Sequence, residues 1–101
     1  MAPDTHDPHQ RALLFNPGAL VFSAIVSRLM AERRLDPLFY FRRHMHGDWG
    51  DVPDDRRWRN NEALRSGGPI QSVYTVGREL CLVVLTLADR SETRITLPDE
   101  R

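Results

Sequence analysis

The sequence predicts an α+β domain, with about three N-terminal helices followed by a three-stranded antiparallel β-meander. Two observations carry this reading. Pairs that start helices recur in the first half, at Asn16-Pro17, Asp36-Pro37 and Pro53-Asp54-Asp55. After Gly68 the apolar period then switches from 3.6 residues to 2.

The elements follow in order. Asn16 is a residue type that caps helices and Pro17 suits a first helical position, so a long first helix is expected from there. Phe22, Ile25, Val26 and Leu29 fall at i, i+3, i+4 and i+7 and give it one buried stripe, and Glu32, Arg33 and Arg34 close it. Asp36-Pro37 starts a second short helix carrying Leu38-Phe39-Tyr40-Phe41 towards Arg42 and Arg43. Gly47-Asp48-Trp49-Gly50-Asp51-Val52-Pro53 holds two glycines and a proline, which predicts a structured turn. A third helix starts near Pro53-Asp54-Asp55, with acids over its positive end. It passes Trp58, Asn61 and Leu64 and stops at Gly67-Gly68.

In the second half, Ile70, Ser72, Tyr74 and Val76 alternate with Gln71, Val73 and Thr75, as in a half-buried strand. Gly77 turns the chain into Leu80–Leu87, its most apolar run. Leu80, Leu82 and Val84 face one way and Cys81, Val83, Leu85 and Leu87 the other, the pattern of a central strand. Asp89-Arg90-Ser91 forms a turn before a last strand with Thr93, Ile95 and Leu97.

Composition bounds the function. The chain has 101 residues, 41% hydrophobic and 28% charged, which suits one folded domain. Residues 1–11 (MAPDTHDPHQR) lack an apolar period and are expected to be a mobile tail, with residues 12–101 as the domain. The formal net charge is zero, which argues against holding nucleic acid by bulk charge. All 14 basic residues are arginine. The single Cys81 makes no intrachain disulfide, and it lies in the most apolar strand, where its thiol is expected to be inert. No apolar run approaches a membrane span and no secretion signal opens the chain, so a cytoplasmic protein without a membrane partner is expected.

Reactive side chains are densest at His44-Met45-His46-Gly47-Asp48-Trp49-Gly50-Asp51. His-x-His-x-Asp is a metallohydrolase spacing, but further histidines occur only at His6 and His9 of the tail, so no metal and no cofactor are expected. The structural alternative has Asp48 capping backbone N–H groups, Trp49 packing on the helices, and Gly47 and Gly50 at positive φ. A third reading makes the turn a ligand site, with its backbone amides and indole face open to an anion or a base. A second polar set comprises Asn60, Asn61, Ser72, Tyr74, Asp89, Arg90, Ser91 and Thr93. Ser72, Tyr74, Thr86 and Thr93 would make a hydroxyl-rich sheet face. The chain has no nucleophile elbow, phosphate loop or dinucleotide fingerprint.

His44-x-x-Gly47-Asp48-Trp49-Gly50-Asp51, Asp55-Arg56, Asn61-Glu62-x-Leu64, Gly68 and Ser72-x-Tyr74 together resemble a family of small proteins borne on plasmids, phages and other bacterial mobile elements. The early Pro17-Gly18-Ala19-Leu20 and the ending Thr86-x-x-Asp89-Arg90-Ser91-x-Thr93-x-Ile95-x-Leu97-Pro98-Asp99-Glu100 are similar as well. The resemblance spans roughly Asn16 to Glu100. Some members carry the label of a type I restriction modification subunit. An adenine methyltransferase, however, needs a large α/β cofactor domain and an Asn/Asp-Pro-Pro-aromatic loop, neither of which this sequence holds.

Small size, neutral charge, the lack of an assembled catalytic constellation and the resemblance together favour a non-catalytic accessory protein with a host or element-encoded protein as partner, and the mobile-element context suggests inhibition of CRISPR or restriction as one role. The candidate binding residues are His44, Asp48, Trp49, Asn61, Ser72, Tyr74, Asp89 and Arg90. One alternative is a small nucleotide- or metal-binding enzyme in which His44, Asp48, Asn61, Tyr74, Asp89 and Arg90 line a pocket. Another is nucleic-acid binding through Arg42, Arg43, Arg56, Arg57, Arg59 and Arg65. The apolar row Cys81, Val83, Leu85 and Leu87 further predicts a homodimer through the sheet.

Overall fold

The structure is a computed structural model that describes residues 13–78 and 80–100, so the tail at 1–11, with His6, Asp7 and His9, lies outside the described residues. The elements run β1 (Ala19–Phe22), α1 (Ala24–Ala31), α2 (Pro37–Met45), α3 (Asp54–Ser66), β2 (Ile70–Val76), β3 (Leu80–Thr86) and β4 (Glu92–Thr96), with a 3-10 turn at Pro98–Glu100. The class is α+β with three helices. The sheet, however, has four strands in the order β1-β4-β3-β2. The expected meander is its antiparallel part, and β1 adds to it in parallel, with Ala19 opposite Glu92 and Phe22 opposite Ile95.

The long first helix is therefore corrected, and the backbone gives the reason. Gly18 takes φ +67° and lies so close to the Asp89-Arg90-Ser91 turn that a Cβ would fall 2.4 Å from the Ser91 carbonyl. From there Ala19 N–H donates to Ser91 C=O at 3.0 Å and Ser23 N–H to Ile95 C=O at 3.1 Å, so these donors are spent on β4. Asn16 caps no helix: its Oδ1 accepts from Gly18 N–H at 2.9 Å. Ser23 is the true N-cap of α1, its Oγ accepting from Val26 N–H at 3.2 Å. Gly18→Ala is expected to cost at least about 2 kcal/mol, because strain and a backbone clash add. Gly67→Ala, at φ +89° with open space around it, should cost about 1–2 kcal/mol from strain alone. Urea unfolding of the two variants checks the difference.

The helices cover one sheet face. Ile70, Ser72 and Tyr74 of β2, Leu82, Val84 and Thr86 of β3, and Thr93 and Ile95 of β4 are all buried there. Val26 of α1 and Leu35 pack with Tyr74, Leu82, Val84 and Ile95, while Trp49, Val52, Ala63 and Ile70 make a second cluster towards α3. Asn60 ties α3 to β2 by a two-way bond, its Nδ2 donating to Gln71 C=O at 2.8 Å and its Oδ1 accepting from Gln71 N–H at 3.1 Å.

On the other face Val83 is only 4% exposed and Cys81, Leu85 and Leu87 are half-buried. The Pro98–Glu100 turn lies against β3 on its way, held by Glu100 Oε1, which accepts from Ser23 Oγ at 2.7 Å and Leu97 N–H at 2.8 Å. Part of the row that predicted a dimer is thus covered within one chain.

Candidate functional site

The turn after α2 becomes an extra strand-like edge. Gly50 forms a parallel bridge with Val73, Val73 N–H donating to Trp49 C=O at 3.1 Å and Asp51 N–H to Val73 C=O at 2.6 Å. A Cβ on Gly50 would stand 2.2 Å from the Val73 oxygen, so only glycine permits this approach. Asp51 Oδ2 accepts from Thr75 N–H and Oγ1 at 3.0 and 2.9 Å. The free edge of β2 is thereby closed.

Asp48 caps the turn, its Oδ1 accepting from Gly50 N–H at 3.2 Å. Its other oxygen takes the Arg43 Nε–H at 2.7 Å. That guanidinium lies 4.7 Å over the Tyr74 ring. The hydrogen bond from Arg43 holds the Asp48 carboxyl below the usual carboxylate range and raises the arginine in return. Tyr74 Oη donates to Asp48 C=O at 2.6 Å, and burial pushes its phenol above its ordinary value. Trp49 is 2% exposed and its Nε1–H donates to Asn61 Oδ1 at 3.0 Å. The expectation of a buried Trp49 pinning the turn is borne out.

His44 is fully buried between two hydroxyls, with Nδ1 2.6 Å from Ser72 Oγ and Nε2 2.9 Å from Thr86 Oγ1. Thr86 Oγ1 is 2.7 Å from Thr93 Oγ1, which donates to Pro17 C=O at 2.8 Å. Proton counting fixes the direction of the whole chain. A carbonyl only accepts, so Thr93 spends its proton on Pro17, and Thr86 must donate to Thr93. Thr86 then has no proton for His44, so Nε2–H is the donor and Nδ1 accepts from Ser72. The ring is the neutral Nε2–H tautomer, and burial depresses its pKa to about 3. The hydroxyl-rich face foreseen in the sequence exists, and it points inward.

Arg90, at φ +61°, reaches across the fold. Its Nη1 donates to Gly68 C=O at 2.7 Å and Leu87 C=O at 3.0 Å, and its Nη2 to Ala63 C=O at 3.1 Å. It therefore closes the carbonyl end of α3, a capping role. Asp89 caps the same turn through Ser91 N–H at 2.9 Å, and its bonds from Ser91 lower its pKa.

The eight candidates thus form separate bonded groups: His44 with Ser72, Asp48 with Tyr74, Trp49 with Asn61, and Asp89 and Arg90 in their own turn. A cleft of about 590 Å³ opens elsewhere, beside Arg33, Arg34, Asp36, Phe39, Tyr40 and Val76, and contains none of them. Among the described residues no cluster of three or more His, Cys, Asp or Glu has the geometry for a metal, and no helix is long and apolar enough to cross a membrane.

Sequence reasoning missed Phe15, whose ring meets His44 edge-on at 5.4 Å between centroids, and the partnership of Arg43 with Asp48. Arg43 and Asp48 are five residues apart across a helix end, a spacing that carries no pairing rule. Phe15 ends the run Leu13-Leu14-Phe15, which is too short to show a period. No family model, curated protein or solved structure matches the chain.

Proposed function

We propose that this chain is a small non-catalytic binding module whose partner is a protein. On the resemblance in its motifs, we further propose that it serves a bacterial mobile element against a host defence system such as CRISPR or restriction. The observation that carries the binding reading is Trp58. It is 65% exposed at the centre of α3, whose buried contacts come from Asn60 and Ala63. An indole left in water contributes little to the fold, whereas tryptophan and arginine are among the residues enriched at the energetic centres of protein interfaces. Arg57 and Arg59 flank it, both exposed.

The state of the candidate polar groups supports the same reading. Each is used in a bond that holds the fold, and among these candidates no nucleophile and base stand assembled at an open surface. Of the six arginines considered for nucleic acid, Arg43 pairs with Asp48, Arg57 with Asp54 and Arg65 with Glu62. That local neutralisation favours a protein surface over a phosphate backbone.

Trp58→Ala should change stability by less than about 0.5 kcal/mol, as an exposed substitution does. In cells with a resident restriction or CRISPR system, the wild-type chain should raise the plating efficiency of a targeted phage, and Trp58→Ala should abolish that rise. Equal protection by the variant would remove Trp58 from the interface. No protection by the wild-type chain would remove the anti-defence role.

A further inference from the structure

The two edges of the sheet are finished differently. On β2 the outward-facing residues are Gln71, Val73 and Thr75, and each N–H there has a partner. Gln71 donates to Asn60 Oδ1, Val73 to Trp49 C=O and Thr75 to Asp51 Oδ2. On β1 the outward groups stand bare. A parallel ladder bonds alternate residues of a strand. Ala19 and Ser23 donate to β4, so Val21 between them also turns its polar groups inward, while Leu20 and Phe22 turn theirs outward. β1 ends the sheet, and among the described residues neither of these two N–H groups has a partner. α1 leads away from this edge, its Val26 packing on Tyr74, Leu82, Val84 and Ile95 over the other three strands.

An apolar edge with free donors and acceptors is a template for another strand, and proteins that stay apart blunt it with charge, proline or a bulge. Ala19-Leu20-Val21-Phe22 has none of these. It also matches itself. Two copies running antiparallel about a two-fold axis at Val21 place Leu20 opposite Phe22 of the second copy, and each such pair exchanges hydrogen bonds in both directions. Every outward N–H and C=O of the two edges is then used. On the helix side Leu20 and Phe22, partly buried at the margin of the core, meet across the seam. On the other side Val21, 39% exposed, meets its own copy. The charges beside it on β4, Glu92 and Arg94, pair with each other.

We infer that the chain forms a two-fold dimer by pairing β1 with β1 of a second copy, which joins two four-stranded sheets into one. The assembly stops at two copies, because both outer edges of the joined sheet are β2 edges, already closed by residues 49–51 and Asn60. With two outward residues per chain the contact is small and reversible. It lies at the edge of the sheet, not on the face of Cys81, Val83, Leu85 and Leu87 that the sequence singles out. Trp58 sits on α3, which packs on β2 at the opposite end of the sheet, so either surface can fail without the other.

Sedimentation equilibrium of the full chain, from about 1 µM to about 1 mM, tests the pairing. The mass should rise from that of one chain to that of two and go no further. Val21→Lys and Val21→Glu each set like charges face to face at the axis, and each should weaken the dimer about tenfold. An equimolar mixture of the two variants should recover it as a heterodimer. A wild-type chain that stays monomeric throughout overturns the pairing, and so does one that grows beyond two. Dimerisation of Val21→Lys as tight as wild type, or a mixture no better than either variant alone, overturns it as well.

Should either variant fail to fold, amide hydrogen exchange of the wild-type chain reads the edge directly. Protection at Leu20 and Phe22 that rises with protein concentration, while Ala19 and Val21 stay unchanged, supports the pairing. Protection that is independent of concentration overturns it, since the edge is then covered from within one chain. Absence of protection at every concentration overturns it too.

Discussion

Acidification below pH 6.5 is expected to destabilise the fold through His44, starting well above the range where carboxylates titrate. The ring is buried neutral with a pKa of about 3, against about 6.5 in an unfolded chain. Below pH 6.5 the unfolded state therefore binds a proton that the folded state refuses, so stability falls with pH and levels off only near pH 3. The loss from this one group is about 2 kcal/mol at pH 5 and about 3 kcal/mol at pH 4. The paired carboxyls of Asp48 and Asp89 lie below their ordinary values, so their contribution is lost in a lower window. Urea unfolding at pH 7, 5 and 4 measures the slope. His44→Gln removes the titrating ring and should flatten the curve between pH 6.5 and 4.5. A variant with the wild-type slope would place the responsible proton on another group.

Trp49→Ala should be the most damaging single truncation. Trp49 is buried with Val52, Ala63 and Ile70, and it carries the only indole N–H bond to Asn61 among the described residues. Removing a buried tryptophan costs about 3–5 kcal/mol, a large share of the roughly 5–15 kcal/mol that holds a domain. Loss of the ring also frees the Gly50–Val73 bridge that shields the edge of β2. The melting temperature should fall by roughly 15–30 °C, at about 4–8 °C per kcal/mol for a domain of this size. Trp49→Phe keeps much of the apolar volume but leaves Asn61 without its donor, and should cost about 1–3 kcal/mol. A Trp49→Ala chain that melts within two degrees of wild type would mean that the turn holds without its pin.

The legible parts of this fold are those whose signals are local. Asp36-Pro37 marks α2 and the pair Asp54-Asp55 marks α3, because an N-terminus is written in adjacent residues. The glycine at position 67 ends α3 in the left-handed conformation, as the Gly67-Gly68 pair implies. Strands β2 and β3 are legible from a period of two. β1 was not legible because Phe22, Ile25, Val26 and Leu29 fit a helical template, and a four-residue strand offers too few positions to contest it. What decides its state is a partner more than seventy residues away, with Ala19 facing Glu92.

The site divides in the same way. The Asp48 cap, the glycine conformations and the burial of Trp49 could be read from the turn's own composition. That Ser72, Tyr74, Thr86 and Thr93 face the core was undetermined, since alternation gives two faces without saying which is dry. The reach of Arg90 to Ala63 is a tertiary fact with no local sign.

The parallel pairing of β1 with β4 has a consequence for biosynthesis. Ala19–Phe22 is made well before its hydrogen-bonding partners at Glu92–Ile95. Throughout that interval the segment has no strand to join. The antiparallel β2–β3 hairpin closes over a short loop and can form first, but the pairing of β1 must wait and then close a loop of most of the described chain. The pairing of β1 with β4 should therefore come late in folding and be slow compared with hairpin closure. A nascent chain halted before β4 would carry two open seams, one along β3 and one along β1, and would be prey for proteases and aggregation partners.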